Sequence, residues 1–448
     1  MKFKSYTIVL IIIGLIAGSC SDFLDVKPKE SVSDDQTIFD AASSLTAVLG
    51  IYNGLANGSY YGTSFQSIGY LAGDNIVWTG SQSQVQEFIN HNVKGDNSTI
   101  STVWVAIYRT INRANNVLAK VPEVTDAALT TALKNQYLGE AYFARALSYF
   151  DLARVYGGVP LITEPTLKPT DNSGIAKATV DQVYAQVLAD LLAAEPLLPE
   201  TTDRYRATRK TVWALLSRFY LYRNDDVKAE EYASKLIDDA ANYKLVKPYN
   251  AFFANNVRGT QESVFEIFYN GTTEQNGHRG QWQPQSNGGT RQWAPNDVLV
   301  GLLNDPAVGG TRSTLVAKDN QNRWYGNLYY RTPPLDPSFV IRIAELYLIR
   351  AEARANQEDL EGAIDDLDAV RDRAGLEGTT AETQEEIILA IENERRVEFA
   401  LEPHRWFDLV RTGRAQTVLN ITDPNKLVLP LPADQILVDK ALKQNDGY

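Results

Sequence analysis

The chain has 448 residues, 44% of them hydrophobic and 10% aromatic, which is ample material for a large core. Its formal charge of −12 argues against nucleic acid, whose phosphates reward basic surfaces. One cysteine rules out internal disulfides, and the three histidines, at 91, 278 and 404, show no pair at metal-ligand spacing, so neither a metal nor a cofactor is expected.

Lys2 and Lys4 precede an apolar run from Ile8 to Ile16, then Ala17-Gly18-Ser19 and Cys20. That is the layout of a secretory signal over 1–19, and the run is shorter than the roughly 20 residues a bilayer span needs. A cysteine directly after small residues is the lipidation pattern of bacterial lipoproteins, so Cys20 is expected to carry diacylglycerol. Residues 20–40 are polar and acidic, with few apolar side chains, and are expected to form a lipidated tether.

Helical periodicity starts at 41 and runs to about 55. Stronger helices are expected at 98–119 and 133–155, with apolar residues three and four apart. Gly157-Gly158 and Pro160 should stop the second of these, and a third is expected over 180–195. Residues 211–222 and 227–240 form a predicted helix–turn–helix, and 339–355 with 360–374 repeat the plan. Alanine stands early in each second helix (Ala229, Ala363), where two helices must approach closely. The expected fold is therefore mainly α, a scaffold of tetratricopeptide-like helical pairs. Between the pairs, 243–336 is rich in glycine, amides and aromatics, with short predicted strands at 263–269 and 327–330. The scaffold is expected at about 41–242 and 337–448, with 243–336 as a loop-rich insertion where ligand binding would sit.

Several ordered blocks carry a resemblance. They are Cys20-Ser21-Asp22-Phe23-Leu24-Asp25; Trp104, Tyr108 and Ile111-Asn112-Arg113-Ala114-Asn115; Gly139-Glu140-Ala141-Tyr142-Phe143-Ala144-Arg145-Ala146 with Tyr156-Gly157-Gly158-Val159-Pro160-Leu161; Ile341-Arg342-Ile343-Ala344-Glu345-Leu346-Tyr347-Leu348; Glu394-Arg395-Arg396-Val397-Glu398-Phe399 with Arg405-Trp406-Phe407-Asp408-Leu409; and the C-terminal Leu429-Pro430-Leu431-Pro432 and Gln444-Asn445-Asp446-Gly447-Tyr448. In these blocks the chain resembles the SusD/RagB family of Bacteroidetes outer-membrane lipoproteins along nearly its whole length. It departs at Pro403, where the family usually has glycine, and at Asp446, where it usually has proline. The resemblance implies four tetratricopeptide-like units and a SusC-like TonB-dependent transporter as partner. It also implies non-catalytic capture of an oligosaccharide or polysaccharide by a lipid-anchored protein facing outward from the outer membrane.

Sugar capture needs flat aromatic rings for the carbon–hydrogen face of a pyranose and polar edges for its hydroxyls. Of seven tryptophans, Trp104, Trp213 and Trp406 lie in periodic helical segments and read as core. Trp78, Trp282 and Trp293 lie in polar, glycine-rich sequence and are the expected glycan platform, with Trp324 and Tyr325 beside them. Asp74, Asn75, Gln283 and Arg291 are the expected hydroxyl partners. Lysine is absent from 272–315, which favours a neutral glucan, of β-1,3 or starch type, over an acidic glycan. A peptide ligand on the RagB pattern is the alternative. Glycoside hydrolysis would need two carboxyl groups about 5–10 Å apart at the site. The richest carboxylate set, Glu394, Glu398 and Glu402, has helical i, i+4 spacing beside Arg395 and Arg396 and reads as ion pairing instead.

Overall fold

The computed structural model describes residues 37–168, 170–255 and 257–448; the predicted signal, Cys20 and nearly all of the tether lie outside them. Sixteen helices and six short strands follow in order among the described residues. The first group is α1 (Ala41–Leu55), α2 (Ser64–Leu71), β1 (Ile76–Trp78), α3 (Ser83–Ile89), α4 (Ser98–Lys120), α5 (Thr131–Tyr156), α6 (Val180–Ala194), α7 (Arg209–Tyr222) and α8 (Asp226–Ile237). A strand-bearing stretch contains β2 (Ser263–Ile267), α9 (His278–Trp282), β3 (Trp293–Pro295), α10 (Asp297–Asn304), β4 (Val316–Lys318), β5 (Trp324–Gly326) and β6 (Ser338–Arg342). The chain closes with α11 (Ile343–Asn356), α12 (Leu360–Arg373), α13 (Gln384–Glu398), α14 (Arg405–Arg411), α15 (Ala415–Leu419) and α16 (Ala433–Val438). No helix among the described residues is long and apolar enough to cross a membrane.

The helices stack as consecutive pairs: α4 on α5, α5 on α6, α7 on α8 and α11 on α12, with α8 also against α11. Capping residues start them where the sequence supplies a hydroxyl or carboxylate. Asp40 Oδ1 accepts from Ser43 N at 2.7 Å, and Thr179, Thr208 and Thr383 each form a capping box with the third helical residue. Gly157, at φ +71°, ends α5 as glycine does at a helix stop. The early alanines are fully buried, and Ser217 Oγ donates to Ala229 O at 2.9 Å, so α7 and α8 touch where the small side chain permits it.

Residues of the recognisable blocks bind the stack together. Arg145 on α5 forks onto Asp190 of α6 (2.8 and 2.7 Å) and also reaches Asn115 of α4 at 2.9 Å. Glu140 takes Arg206 in the same bidentate way and accepts the Tyr52 hydroxyl at 2.6 Å. The carboxylates Glu394, Glu398 and Glu402 do pair, though with more distant arginines than their neighbours Arg395 and Arg396. Glu398 receives Arg312, Arg342 and Arg373; Glu394 receives Arg312 and Arg371; Glu402 receives Arg342. Arg395 goes to Asp408, and Arg396 to Asp74.

Three local expectations are corrected. The segment 339–355 begins as a strand: Ser338–Arg342 pairs antiparallel with β2, and α11 starts only at Ile343. Every residue of β6 is buried, and such a short apolar run carries no period that separates strand from helix. The strand expected at 327–330 lies just before it, at Trp324–Gly326, because β4 offers partners only for those three residues. The first expected strand ends at Ile267, leaving Phe268 46% exposed.

Candidate functional site

Trp78 ends β1, whose pairing with β3 sets Ile76 opposite Pro295, Val77 opposite Ala294 and Trp78 opposite Trp293. The ladder continues one step, with Thr79 N donating to Gln292 O at 2.9 Å and its hydroxyl to Arg291 O at 2.6 Å. Arg291, at φ +51°, turns the chain and donates from Nε to Trp324 O at 2.7 Å. Burial and the neighbouring Arg323 push the Arg291 guanidinium below its ordinary value. Trp324 stands opposite Lys318 on β4, whose Nζ lies 4.8 Å from the indole centre. Trp78, Arg291 and Trp324 are thus tied to one edge by the strand pairing and side-chain-to-backbone hydrogen bonds, and all three stay partly exposed.

Beside Trp78 the chain folds back tightly. A Cβ on Gly80 would lie 2.2 Å from the indole, so only glycine lets the backbone pass over the ring. Gly80 leads to α3, and Trp78 forms one wall of a cavity of about 410 Å³ with Gln82, Gln86, Asn90 and Asn92 among its lining. Glu87, also in the lining, accepts from Lys94 N and Asn97 Nδ2 at 3.2 and 2.8 Å, which fixes its carboxylate. The Trp78 indole N–H is buried and has no acceptor among the described residues, so the ring offers the cavity its face and not its donor. An aromatic wall and four amides can hold a polyhydroxylated ring by stacking and hydrogen bonds.

The other expected platform residues sit elsewhere. Trp282 is fully buried and Trp293 is 5% exposed. They pack with Tyr70, His278 and Tyr329 into an aromatic knot: Tyr70 lies 5.4 Å from Trp282 and 5.2 Å from Trp293, and His278 stacks on Tyr329 at 4.7 Å. Burial lowers the His278 imidazole to about 3, so the knot holds a neutral histidine. Gly326 lets β5 lie against Trp282, since a Cβ there would meet the ring at 2.5 Å. Trp282 and Trp293 therefore present no face to a ligand, because they join the main core and pack the loop onto Tyr70 of α2. Tyr325 is also buried, at 9% exposure.

Of the expected hydroxyl partners, three are committed to the protein. Gln283 is buried, donates to Gly326 O and Tyr329 O, and accepts from Asn287. Asn75 is buried and accepts from Arg396 Nε at 2.8 Å. Burial would raise the Asp74 carboxyl, but hydrogen bonds and charge from Arg405, with Arg396 added, hold it below its ordinary value. Among the helical tryptophans, Trp104 and Trp406 are buried, and Trp213 is partly buried with its N–H on Glu195 at 2.7 Å. The amides of α3 were not singled out in the sequence, although Gln82, Gln84 and Gln86 alternate directly after Trp78 and Asn90 and Asn92 follow.

Residues 22–221 match the family model described as starch-binding associating with outer membrane, and residues 266–448 match the SusD family model. The chain belongs to the SusD/RagB family. A SusD-like protein of Formosa agariphila is 28% identical over 514 residues, covering 100% of both chains. The starch-binding protein SusD of Bacteroides thetaiotaomicron is 24% identical over 96% of each. Among solved structures, a SusD superfamily protein from Bacteroides vulgatus superposes with a TM-score of 0.83 at 22% identity, covering 91% of this chain and 99% of that one. A laminarin-binding SusD-like protein gives 0.80 at 24% identity, covering 92% and 100%. These neighbours share the mainly α SusD fold described above.

Proposed function

We propose that this SusD/RagB-family chain is a lipid-anchored, cell-surface glycan-capture protein that works without catalysis. It holds a neutral glucan, of β-1,3 or starch type, and passes it to a SusC-like TonB-dependent transporter. The observation that carries the reading is the cavity walled by Trp78, where a partly exposed indole shares the lining with four amides. The β-1,3 preference draws support from the laminarin-binding neighbour, and the starch alternative from the starch-binding relative. Trp78, Trp324 and Arg291 are the binding residues in this reading. The committed contacts of Asp74, Asn75 and Gln283 make them props of the loops that carry the site. Electrophoresis through gels containing soluble β-1,3-glucan or starch tests it: the protein should be retarded by one of them, and unretarded migration through both would reject the assignment.

The anchor is proposed at Cys20. Cys20→Ala should leave folding and glucan retardation unchanged but release the protein from the membrane fraction. A variant that still sediments with membranes in cells lacking the transporter would contradict the lipid.

A further inference from the structure

A second cavity, of about 380 Å³, opens where α1, the chain leading into α7 and the end of β2 meet. It shares no lining residue with the Trp78 cavity. Its aromatic wall is Tyr205 with Phe268, packed edge to face at 5.5 Å between ring centres. Phe268 is 46% exposed and Leu49, at the rim, 49%. The Arg258 guanidinium lies 4.9 Å from the Phe268 ring centre and fixes that side chain from outside the cavity. Phe268 is thus a large apolar group held in place at the surface, just after its strand ends.

The polar rim is equally fixed. Glu274 Oε1 accepts from Asn53 Nδ2 at 2.8 Å, and Oε2 from Asn270 Nδ2 at 2.6 Å. Each oxygen has taken one hydrogen bond and can take another. Arg206 spends Nε and Nη2 on Glu140, while its Nη1 makes no hydrogen bond among the described residues. A carboxylate with free lone pairs and a guanidinium with a free N–H therefore face a cavity with an aromatic wall. Burial of those groups under an apolar protein surface would leave them unsatisfied, which is costly. Hydroxyls of a pyranose satisfy such groups while the ring's carbon–hydrogen face covers the exposed Phe268.

We propose that this cavity is a second carbohydrate subsite, taking a neutral pyranose unit of the same polymer that the Trp78 cavity holds. The inference rests on the glycan reading above. Two subsites on one chain raise the apparent affinity for a long polymer well beyond that for a short oligosaccharide, because the second contact forms at high local concentration.

The test uses the full chain in gels containing polymeric β-1,3-glucan, with starch in parallel, and compares wild type, Phe268→Ala and Glu274→Gln. Both positions are accessible, so a denaturant titration confirms that the variants fold as the wild type does. Wild type should be retarded. Phe268→Ala should lose roughly tenfold in apparent affinity for the polymer, the size of one lost stacking contact, and Glu274→Gln, which turns an accepting oxygen into a donor, roughly fivefold, the size of one lost hydrogen bond, while a short oligosaccharide binds the Trp78 cavity within twofold of wild type. Variants retarded as strongly as wild type would overturn the second subsite alone. An unretarded wild type would overturn the glycan reading and the subsite with it. Variants that keep full retardation but no longer co-purify with the transporter would show that the cavity contacts protein instead.

Discussion

Trp78→Ala should reduce glucan binding by about 1–3 kcal/mol, using the cost of one lost base–aromatic stack as the scale. That is roughly a five- to 150-fold loss of affinity, enough to remove retardation in a gel. The indole walls the cavity, so alanine removes the stacking face. The pairing of β1 with β3 should persist, because Trp78 holds its strand partner through the backbone. Gly80→Ala is a subtler route to the same end. Its methyl would collide with the indole and swing the ring away without deleting it. Binding by Trp78→Ala within twofold of wild type would show that the ligand sits elsewhere.

Arg342→Met should cost about 3–5 kcal/mol of stability, the penalty for stranding buried carboxylates. Arg342 is 1% exposed and reaches Glu262, Glu398 and Glu402 at 2.9, 2.8 and 2.6 Å. Glu398 is fully buried. Burial would raise its carboxyl, but Arg373, Arg312 and Arg342 together hold it at about 2. The cluster joins β6 to the end of α13 and the end of α12, so it is the clasp between the strand-bearing stretch and the last helices. The contrast is Lys247→Met. Lys247 pairs with Asp372 at 2.6 Å with both side chains more than half exposed, and an exposed pair contributes roughly 0–1 kcal/mol. Denaturant titration should separate the two variants clearly; equal midpoints would contradict the role of the cluster.

The helical scaffold was readable in the sequence because helices announce themselves by period and by caps. Residues 98–119 and 133–155 show the apolar stripe, and Gly157 marks its end. β6 was not readable as a strand, since Phe339-Val340-Ile341 fits a buried strand and a buried helix start equally well, and what decides is pairing with β2 more than seventy residues earlier. The buried carboxylates were readable as ion-paired, but their partners were not. Arg312 and Arg342 are remote in sequence from Glu398, and no local spacing encodes that contact.

The candidate site was legible only at its edge. Trp78, Arg291 and Trp324 share one partly exposed edge, whereas Trp282 and Trp293 fold inward onto Tyr70 and His278. A glycine-rich, amide-rich stretch suggests exposure, but a long insertion must be packed onto its scaffold, and its largest aromatics do so by joining the main core. Gln283 shows the same logic for a polar residue. Its amide satisfies three backbone and side-chain partners inside the loop, leaving nothing for a ligand.

The central claim is capture of a neutral glucan on the Trp78 face. Isothermal titration of the intact chain against a β-1,3-glucan oligosaccharide, a starch oligosaccharide, a uronate-rich glycan and an oligopeptide mixture addresses it most directly. The account predicts saturable heat with a neutral glucan, lost in Trp78→Ala, and none with the peptides. Saturable heat with the peptides, and none with either neutral glucan, would contradict it.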